Sequence, residues 1–290
     1  MKRTVISSII LLTMALALTA CSIGGVTVNM NSQGIQGSGT ITTETRKLSD
    51  FSKVELVSIG DLTIKQGSEN SLTIKADDNL MQYITNEVDG DTLKISMKPT
   101  INVNPTSTIE YTLVVKSLSS VKLSGFGNIS ADELNGDQID MVLSGSGDIN
   151  VEKVNASSLN MKLTGFGNIT TNEVKTDDAV IDLTGSGDIT LDSFASKSLN
   201  LTISGFGNAT IKGSTDDQKF RLTGSGKYYG GDLQSKTANV TISGFGDATV
   251  WAADSLDLTI TGSGTVNYYG EPKMNQTITG MGKVKSLGSH

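Results

Sequence analysis

The sequence predicts an all-β chain wound as a parallel β-helix, a solenoid of roughly 20-residue coils with a less regular N-terminal cap. Three observations predict it. The motif Ser/Thr-Gly-x-Gly occurs nine times, starting at Ser124, Ser144, Thr164, Thr184, Ser204, Thr223, Ser243, Thr261 and Thr279, at steps of 20 residues that shorten to 18 near the end. A fixed period of this size is the signature of stacked repeats. Apolar residues alternate on both sides of the motif: three residues before the hydroxyl of successive repeats stand Val121, Met141 and Met161, one before it Leu123, Leu143 and Leu163, and five after it Ile129, Ile149 and Ile169. Period-two alternation is strand spacing, with one face buried. The paired glycines at each bend would break a helix. Two short half-buried strands meeting at each Gly-x-Gly corner follow, with a further apolar position ten residues after the hydroxyl (Leu134, Val154, Val174, Phe194, Leu233).

Taken in order, residues 1–20 read as a lipoprotein signal peptide. Lys2 and Arg3 precede an apolar stretch from Val5 to Leu18 that is short for a membrane span. The stretch ends in Leu18-Thr19-Ala20-Cys21, which resembles the lipobox of bacterial lipoproteins and implies cleavage before Cys21 and lipidation there. Acyl chains add roughly 0.8 kcal/mol per buried methylene, enough to tether the mature chain to a membrane. Residues 21–36 are small, polar and glycine-containing, and read as a tether.

Residues 37–118 are β-like but less regular, and suit a segment covering the first open edge of the solenoid. Val57-Ser58-Ile59-Gly60-Asp61 is a worn copy of the later repeat, and Val88-Asp89-Gly90-Asp91-Thr92 carries a hairpin signal. Asp77-Asp78-Asn79 ahead of Leu80-Met81-Gln82-Tyr83-Ile84 predicts one short helix with a side-chain cap. Residues 119–287 hold the regular repeats. About twelve coils are expected, at a spacing of ~4.8 Å.

The Gly-Phe-Gly-Asn and Gly-Ser-Gly-Asp corners, with the opening segment Arg46…Phe51…Val57-Ser58-Ile59-Gly60-Asp61, resemble the head GIN domain of auto-transporter adhesins, a domain of unknown function. The resemblance runs from about residue 37 to 284 and implies a right-handed β-helix in the cell envelope with an adhesive role. It brings no catalytic residues. Ser22-Ile23-Gly24-Gly25 lacks the acidic export signal of some surface lipoproteins, so periplasmic and surface-facing orientations of an outer-membrane lipoprotein both stay open.

Composition excludes several chemistries. Cys21 is the single cysteine and His290 the single histidine, which removes disulfides, thiolate or histidine zinc sites and Ser-His-Asp or Cys-His triads. Without Lys2 and Arg3 the chain carries 21 basic against 30 acidic residues, a net charge of −9, and no basic cluster; nucleic acid is not an expected partner. Neither metal nor cofactor is expected.

The residue after each Gly-x-Gly forms a column, Asn128, Asp148, Asn168, Asp188, Asn208, Lys227 and Asp247. Asn and Asp bond locally to turn amides and tolerate left-handed backbone, so the column reads as structural turn chemistry. Asp148 and Asp188, two coils apart, also define the enzymatic alternative, a polysaccharide-cleaving inverting hydrolase. The residue ahead of them alternates Phe126, Ser146, Phe166, Ser186, Phe206, Ser225, Phe245, Ser263, Met281, large beside small, as rings filling space over their neighbours. Trp251 and Tyr269 lie eight residues after their hydroxyls on adjacent coils, with Tyr229 near them; flat rings of this kind suit sugar faces and form the candidate glycan site. The function expected is a lipid-anchored, non-catalytic envelope protein presenting an adhesive or glycan-binding surface to polysaccharide or peptidoglycan. Self-association into an envelope scaffold is a further alternative.

Overall fold

The computed structural model describes residues 34–290; the signal peptide, Cys21 and most of the expected tether lie outside the described residues. Seven uninterrupted strands, Ile129–Leu143, Ile149–Leu163, Ile169–Leu183, Ile189–Ile203, Ala209–Leu222, Tyr228–Ile242 and Ala248–Ile260, each form one coil, and an eighth coil is split into Thr265–Tyr269 and Lys273–Ile278. Each pairs parallel with the next, so that Ile129, Ile149, Ile169, Ile189 and Ala209 stand in one column. The parallel solenoid is therefore what folds, with eight coils rather than twelve, because residues 37–118 mostly build a cap.

Each of the seven uninterrupted coils buries six or seven positions. In the coil Ile149–Leu163 they are Ile149, Val151, Val154, Leu159, Met161 and Leu163, every one of them within the core. The columns through Val151 and Leu159 are hard to see in the sequence because they contain Thr171, Gln218 and Gly230 alongside aliphatic residues. Burial of one such aliphatic side chain contributes about 1.5–3 kcal/mol, and the stacking repeats it coil after coil.

The corners are closed by backbone bonds to the preceding coil, such as Ser144 N–H to the Leu123 carbonyl at 2.9 Å and Ser146 N–H to the Gly125 carbonyl at 3.0 Å. Both corner glycines are demanded by this stacking. A Cβ on Gly145 would lie 2.0 Å from the Gly125 carbonyl oxygen, and one on Gly147, which has φ +137°, 1.8 Å from that of Gly127.

At the N-terminal end, Lys53–Leu56 lies parallel on Ser120–Leu123, and Leu62 and Ile64 stand in register with Ile129 and Ala131, so the worn repeat at 57–61 forms a real corner. Thr92–Met97 and Glu110–Val115 add a second parallel layer. Beyond it the strand direction reverses: Ile84–Asp89 pairs antiparallel with Thr92–Met97 through the expected turn at Gly90, Ser71–Asp77 with Glu110–Val115, and Ile41–Lys47 with Ser71–Asp77. Ile35 and Gln36, in the stretch expected as tether, pair parallel with Val103 and Asn104. Arg46 on the outermost strand reaches across to the Ile84 carbonyl at 3.0 Å and Asn86 Oδ1 at 2.7 Å, holding the cap shut. A charged, clamped outer strand is a poor template for further pairing.

The expected short helix is a single 3₁₀ turn, Met81–Tyr83, with no side-chain cap. The side chains expected to cap it act elsewhere. Asp77 is fully buried and accepts from Gly39 N–H at 2.8 Å, Thr106 N–H at 2.9 Å and Thr106 Oγ1 at 2.6 Å. Asp78 accepts from Ser38 Oγ at 2.5 Å. The acidic pair thus staples two loops of the cap together.

Candidate functional site

The Asn/Asp column is a continuous hydrogen-bond ladder. Asp61 Oδ1 accepts from Asn128 N–H and Nδ2, Asn128 Oδ1 from Asp148 N–H, Asp148 Oδ1 from Asn168, Asn168 Oδ1 from Asp188, and Asp188 Oδ1 from Asn208, at 2.7 to 3.1 Å throughout. Asp247 Oδ1 accepts from Thr265 N–H at 2.9 Å in the same way. The bonds run from coil to coil rather than within one turn, and none of these Asn or Asp residues has a positive φ. The turn-chemistry reading therefore needs a different mechanism: each side chain satisfies the next coil's corner amide, a donor the ladder would otherwise leave unpaired. Asp148 and Asp188 are occupied in this role.

The large-and-small column beside it behaves otherwise than expected. Phe126, Phe166, Phe206 and Phe245 do not lie over their neighbours; they are 69, 73, 75 and 77% exposed, and Met281 is 80% exposed. The corner backbone points this position away from the core, so the rings form an outward row at every second coil.

Midway along each uninterrupted coil the chain bends again, and this bend, which carries no sequence motif, holds a polar groove. Its floor is a run of small residues, Gly136, Ala156, Thr176, Ser196, Thr215 and Ser235. Between Gly136 and Lys197 it is a shallow trough, wide open to solvent, of about 590 Å³, and from Ser196 to Ala253 it continues with a further 240 Å³. The floor hydroxyls are internally satisfied: Thr176 Oγ1 donates to the Asp178 carbonyl at 3.0 Å, Ser196 and Thr215 share a 2.8 Å bond, and Ser235 Oγ donates to the Trp251 carbonyl at 2.7 Å. One wall bears the ion pairs Asp177–Lys197 and Asp216–Lys236, at 2.9 and 2.8 Å. Asp177 and Asp216 raise the pKa of Lys197 and Lys236 through hydrogen bonds first and charge second, keeping both ammonium groups charged.

The other wall is a single column of paired residues, Asn155, Lys175, Ala195, Ser214, Gln234, Trp251 and Tyr269. Two of the three aromatic residues singled out in the sequence thus end this wall in register. Their rings are joined through His290, whose imidazole lies flat on Trp251 at 4.3 Å and 6° and meets Tyr269 edge-on at 4.7 Å. His290 Nε2 also lies 3.2 Å from Asp232 Oδ1. Tyr229 is half-exposed but belongs to another column, in register with Thr249. The Tyr269 ring instead approaches Gly231, where an added Cβ would come within 3.2 Å of it.

Beneath Trp251 runs a buried polar chain. Tyr228 Oη donates to Gln218 Oε1 at 2.7 Å, Gln218 Nε2 donates to Ser235 Oγ at 3.1 Å, and Ser235 holds the Trp251 carbonyl. Burial pushes the Tyr228 phenol far above its ordinary pKa, so it stays a donor. Among the described residues no three His, Cys, Asp or Glu side chains gather as metal ligands, and no helix is long and apolar enough to cross a membrane.

A family profile described as "Putative auto-transporter adhesin, head GIN domain" matches residues 50–172 and 167–272. Among solved structures, a putative adhesin from Parabacteroides merdae ATCC 43184 aligns over 88% of this chain and 99% of its own, at 22% identity and a TM-score of 0.69. A putative adhesin from Parabacteroides distasonis ATCC 8503 aligns over 88% and 100%, at 24% identity and 0.69. A protein from the same organism described as a putative lipid binding protein aligns over 88% and 100%, at 25% identity and 0.64. Among curated proteins no sequence matches. At these identities the solved structures establish the fold.

Proposed function

The chain belongs to the auto-transporter adhesin head GIN domain family, and from that membership and the groove geometry we propose that it is a non-catalytic, lipid-anchored adhesin of the cell envelope that binds an extended polysaccharide or peptidoglycan strand. The observation that carries this reading is the column from Asn155 to Tyr269, in which amide, ammonium and hydroxyl groups end in two aromatic rings along one wall of a groove. Sugars present hydroxyls at their rims and apolar C–H faces, and a wall of this composition matches both. The parallel 6° stack of His290 on Trp251 supports the platform role, because it marks a flat indole face against which another ring can lie. A bound sugar would take the place of the imidazole.

The floor adds rigidity. Its hydroxyls are tied to backbone carbonyls and to each other, so little ordering is left for the ligand to impose. Anchoring rests on the lipobox ending in Cys21. The occupation of Asp148 and Asp188 as ladder acceptors supports the non-catalytic part of the reading.

The test is a titration of the full chain with linear polysaccharides and soluble peptidoglycan fragments, following the emission of Trp251, the only tryptophan. A saturable shift that Lys175→Ala and Gln234→Ala each weaken about ten-fold, equivalent to roughly 1.4 kcal/mol, is the expected result. Absence of any shift, or affinities untouched by both substitutions, would remove the groove from consideration.

A further inference from the structure

We propose that the exposed corner column is a seam along which two copies of this chain pair antiparallel, with the phenylalanine rings of each seated over the serines of the other. The seam uses a different corner of the coil from the polar groove and stands independently of what the groove binds.

The alternation is strict. Proceeding along the solenoid the column reads Phe126, Ser146, Phe166, Ser186, Phe206, Ser225, Phe245, Ser263, Met281. The first corners are bridged in register, Phe126 to Ser146 and Ser146 to Phe166, so neighbouring positions are one strand spacing apart. Rings therefore recur every ~9.6 Å, and a serine sits in each interval. A column with projections and gaps of one period is complementary to itself after a slip of one coil. When the second copy runs in the opposite direction, Phe126 faces Ser263, Phe166 faces Ser225, Phe206 faces Ser186, and Phe245 faces Ser146. All four rings find all four serines, and each contact occurs twice about a two-fold axis, which closes the pair. A parallel pair in register would set ring on ring.

The area is also of the right size. With exposures of 69–77% and about 200 Å² per aromatic side chain, the four rings present roughly 600 Å² per copy. A standard interface takes about 800 Å² per partner and the lower bound for a specific one is near 1,000 Å² for both together. Flanking hydroxyls of the Ser/Thr-Gly corners supply the remainder without charge. In the adjacent column the same pairing sets Asn168 opposite Lys227 and Asp188 opposite Asn208. It opposes one like-charged pair, Asp148 and Asp247, and within each copy Lys227 lies 3.9 Å from Asp247, which offsets that repulsion.

The test is disulfide trapping in the full chain produced in a bacterial envelope. Phe126→Cys combined with Ser263→Cys places the thiols seven coils apart within one copy, about 34 Å, far beyond disulfide reach; in the antiparallel pair they face each other. A covalent species of twice the monomer mass is expected from the double variant and from neither single variant, Cys21 being common to all three. Light scattering is expected to give twice the monomer mass for the unaltered chain and the monomer mass for Phe166→Ser with Phe206→Ser, which alters only outward side chains and leaves the thermal transition in place. The proposal is overturned if the double variant links no more than the single ones, or if mass doubling survives in Phe166→Ser/Phe206→Ser. It is equally overturned if that variant loses polysaccharide binding while its mass stays that of the unaltered chain, which would make the rings a ligand surface.

Discussion

Asn168 sits above Asp148 so that its backbone N–H and its side-chain amide both donate to one carboxylate oxygen, at 2.8 and 3.1 Å. This pair of bonds needs an acceptor oxygen below and a side-chain amide above, which an acid above cannot supply, and this fits the absence of acids on adjacent coils in the run Asn128 to Asn208. Asn168→Asp would remove the side-chain donor and place a third carboxylate between those of Asp148 and Asp188, so that three stack on consecutive coils. Each neighbouring pair costs about 1 kcal/mol in water. A loss of about 1–2 kcal/mol is expected in denaturant unfolding at neutral pH and low salt, shrinking in 1 M salt where the Debye length is about 3 Å. Equal losses at both salt concentrations would contradict the electrostatic account.

The corner glycines provide a steric contrast. Gly145→Ala forces a methyl group to within 2.0 Å of the Gly125 carbonyl, whereas the nearest atom to a Cβ on Gly136 is the mobile end of Ile139 at 3.3 Å. Gly145→Ala is expected to lose about 3 kcal/mol or more, and Gly136→Ala to stay within about 1 kcal/mol of the unaltered chain. Thermal unfolding of the two variants side by side checks it.

Tyr228→Phe removes one hydroxyl from the buried chain Tyr228–Gln218–Ser235 and leaves Gln218 Oε1 without its donor. Stranding a buried acceptor costs about 1–3 kcal/mol. Gln218→Leu together with Tyr228→Phe removes both partners and is expected to recover part of that loss, which a double-mutant cycle measures directly.

Asp77 makes the cap sensitive to acid. The hydrogen bond from Thr106 Oγ1, with those from the Thr106 and Gly39 amides, holds its carboxyl below the ordinary carboxylate pKa. A depressed folded-state value means that its stabilisation is complete above the ordinary pKa of the unfolded chain and is lost as pH falls through the folded value. Below about pH 4 the melting temperature should therefore fall more steeply in the unaltered chain than in Asp77→Asn. Parallel curves for the two would show that the carboxylate of Asp77 contributes nothing specific.

What the sequence disclosed and withheld follows from which signals are periodic. Leu143, Met161 and Ile169 recur with the corner and announced the solenoid, its register and the worn repeat at Val57-Ser58-Ile59-Gly60-Asp61. The cap was legible as β structure, but its antiparallel pairings join residues far apart, such as Arg46 with Leu72, and no local pattern encodes them. The Asp77-Asp78-Asn79 signal was real yet recruited by tertiary partners, Thr106 and Ser38, in preference to a helix end. Of the site, Trp251 and Tyr269 were visible as rare aromatics. The groove they end was not, because Gly136, Ala156, Thr176 and Ser196 look like turn residues until stacking lines them up.

The alternation at the corners sets the unit by which such a chain can lengthen or shorten. From Phe126 to Asn208 a Phe-Asn corner alternates with a Ser-Asp corner, so in this run the repeat is two coils, about 40 residues rather than 20. Excising one coil, for instance residues 149–168, would join Ser146-Gly147-Asp148 directly to Ile169, leaving the serine corner at 186 next to the serine corner at 146 and Asp188 directly over Asp148. Excising two coils restores the order of rings, serines, amides and acids without a fault. Duplication and loss in this architecture are therefore tolerated in even steps, and a lineage that gains length should gain it in pairs of coils.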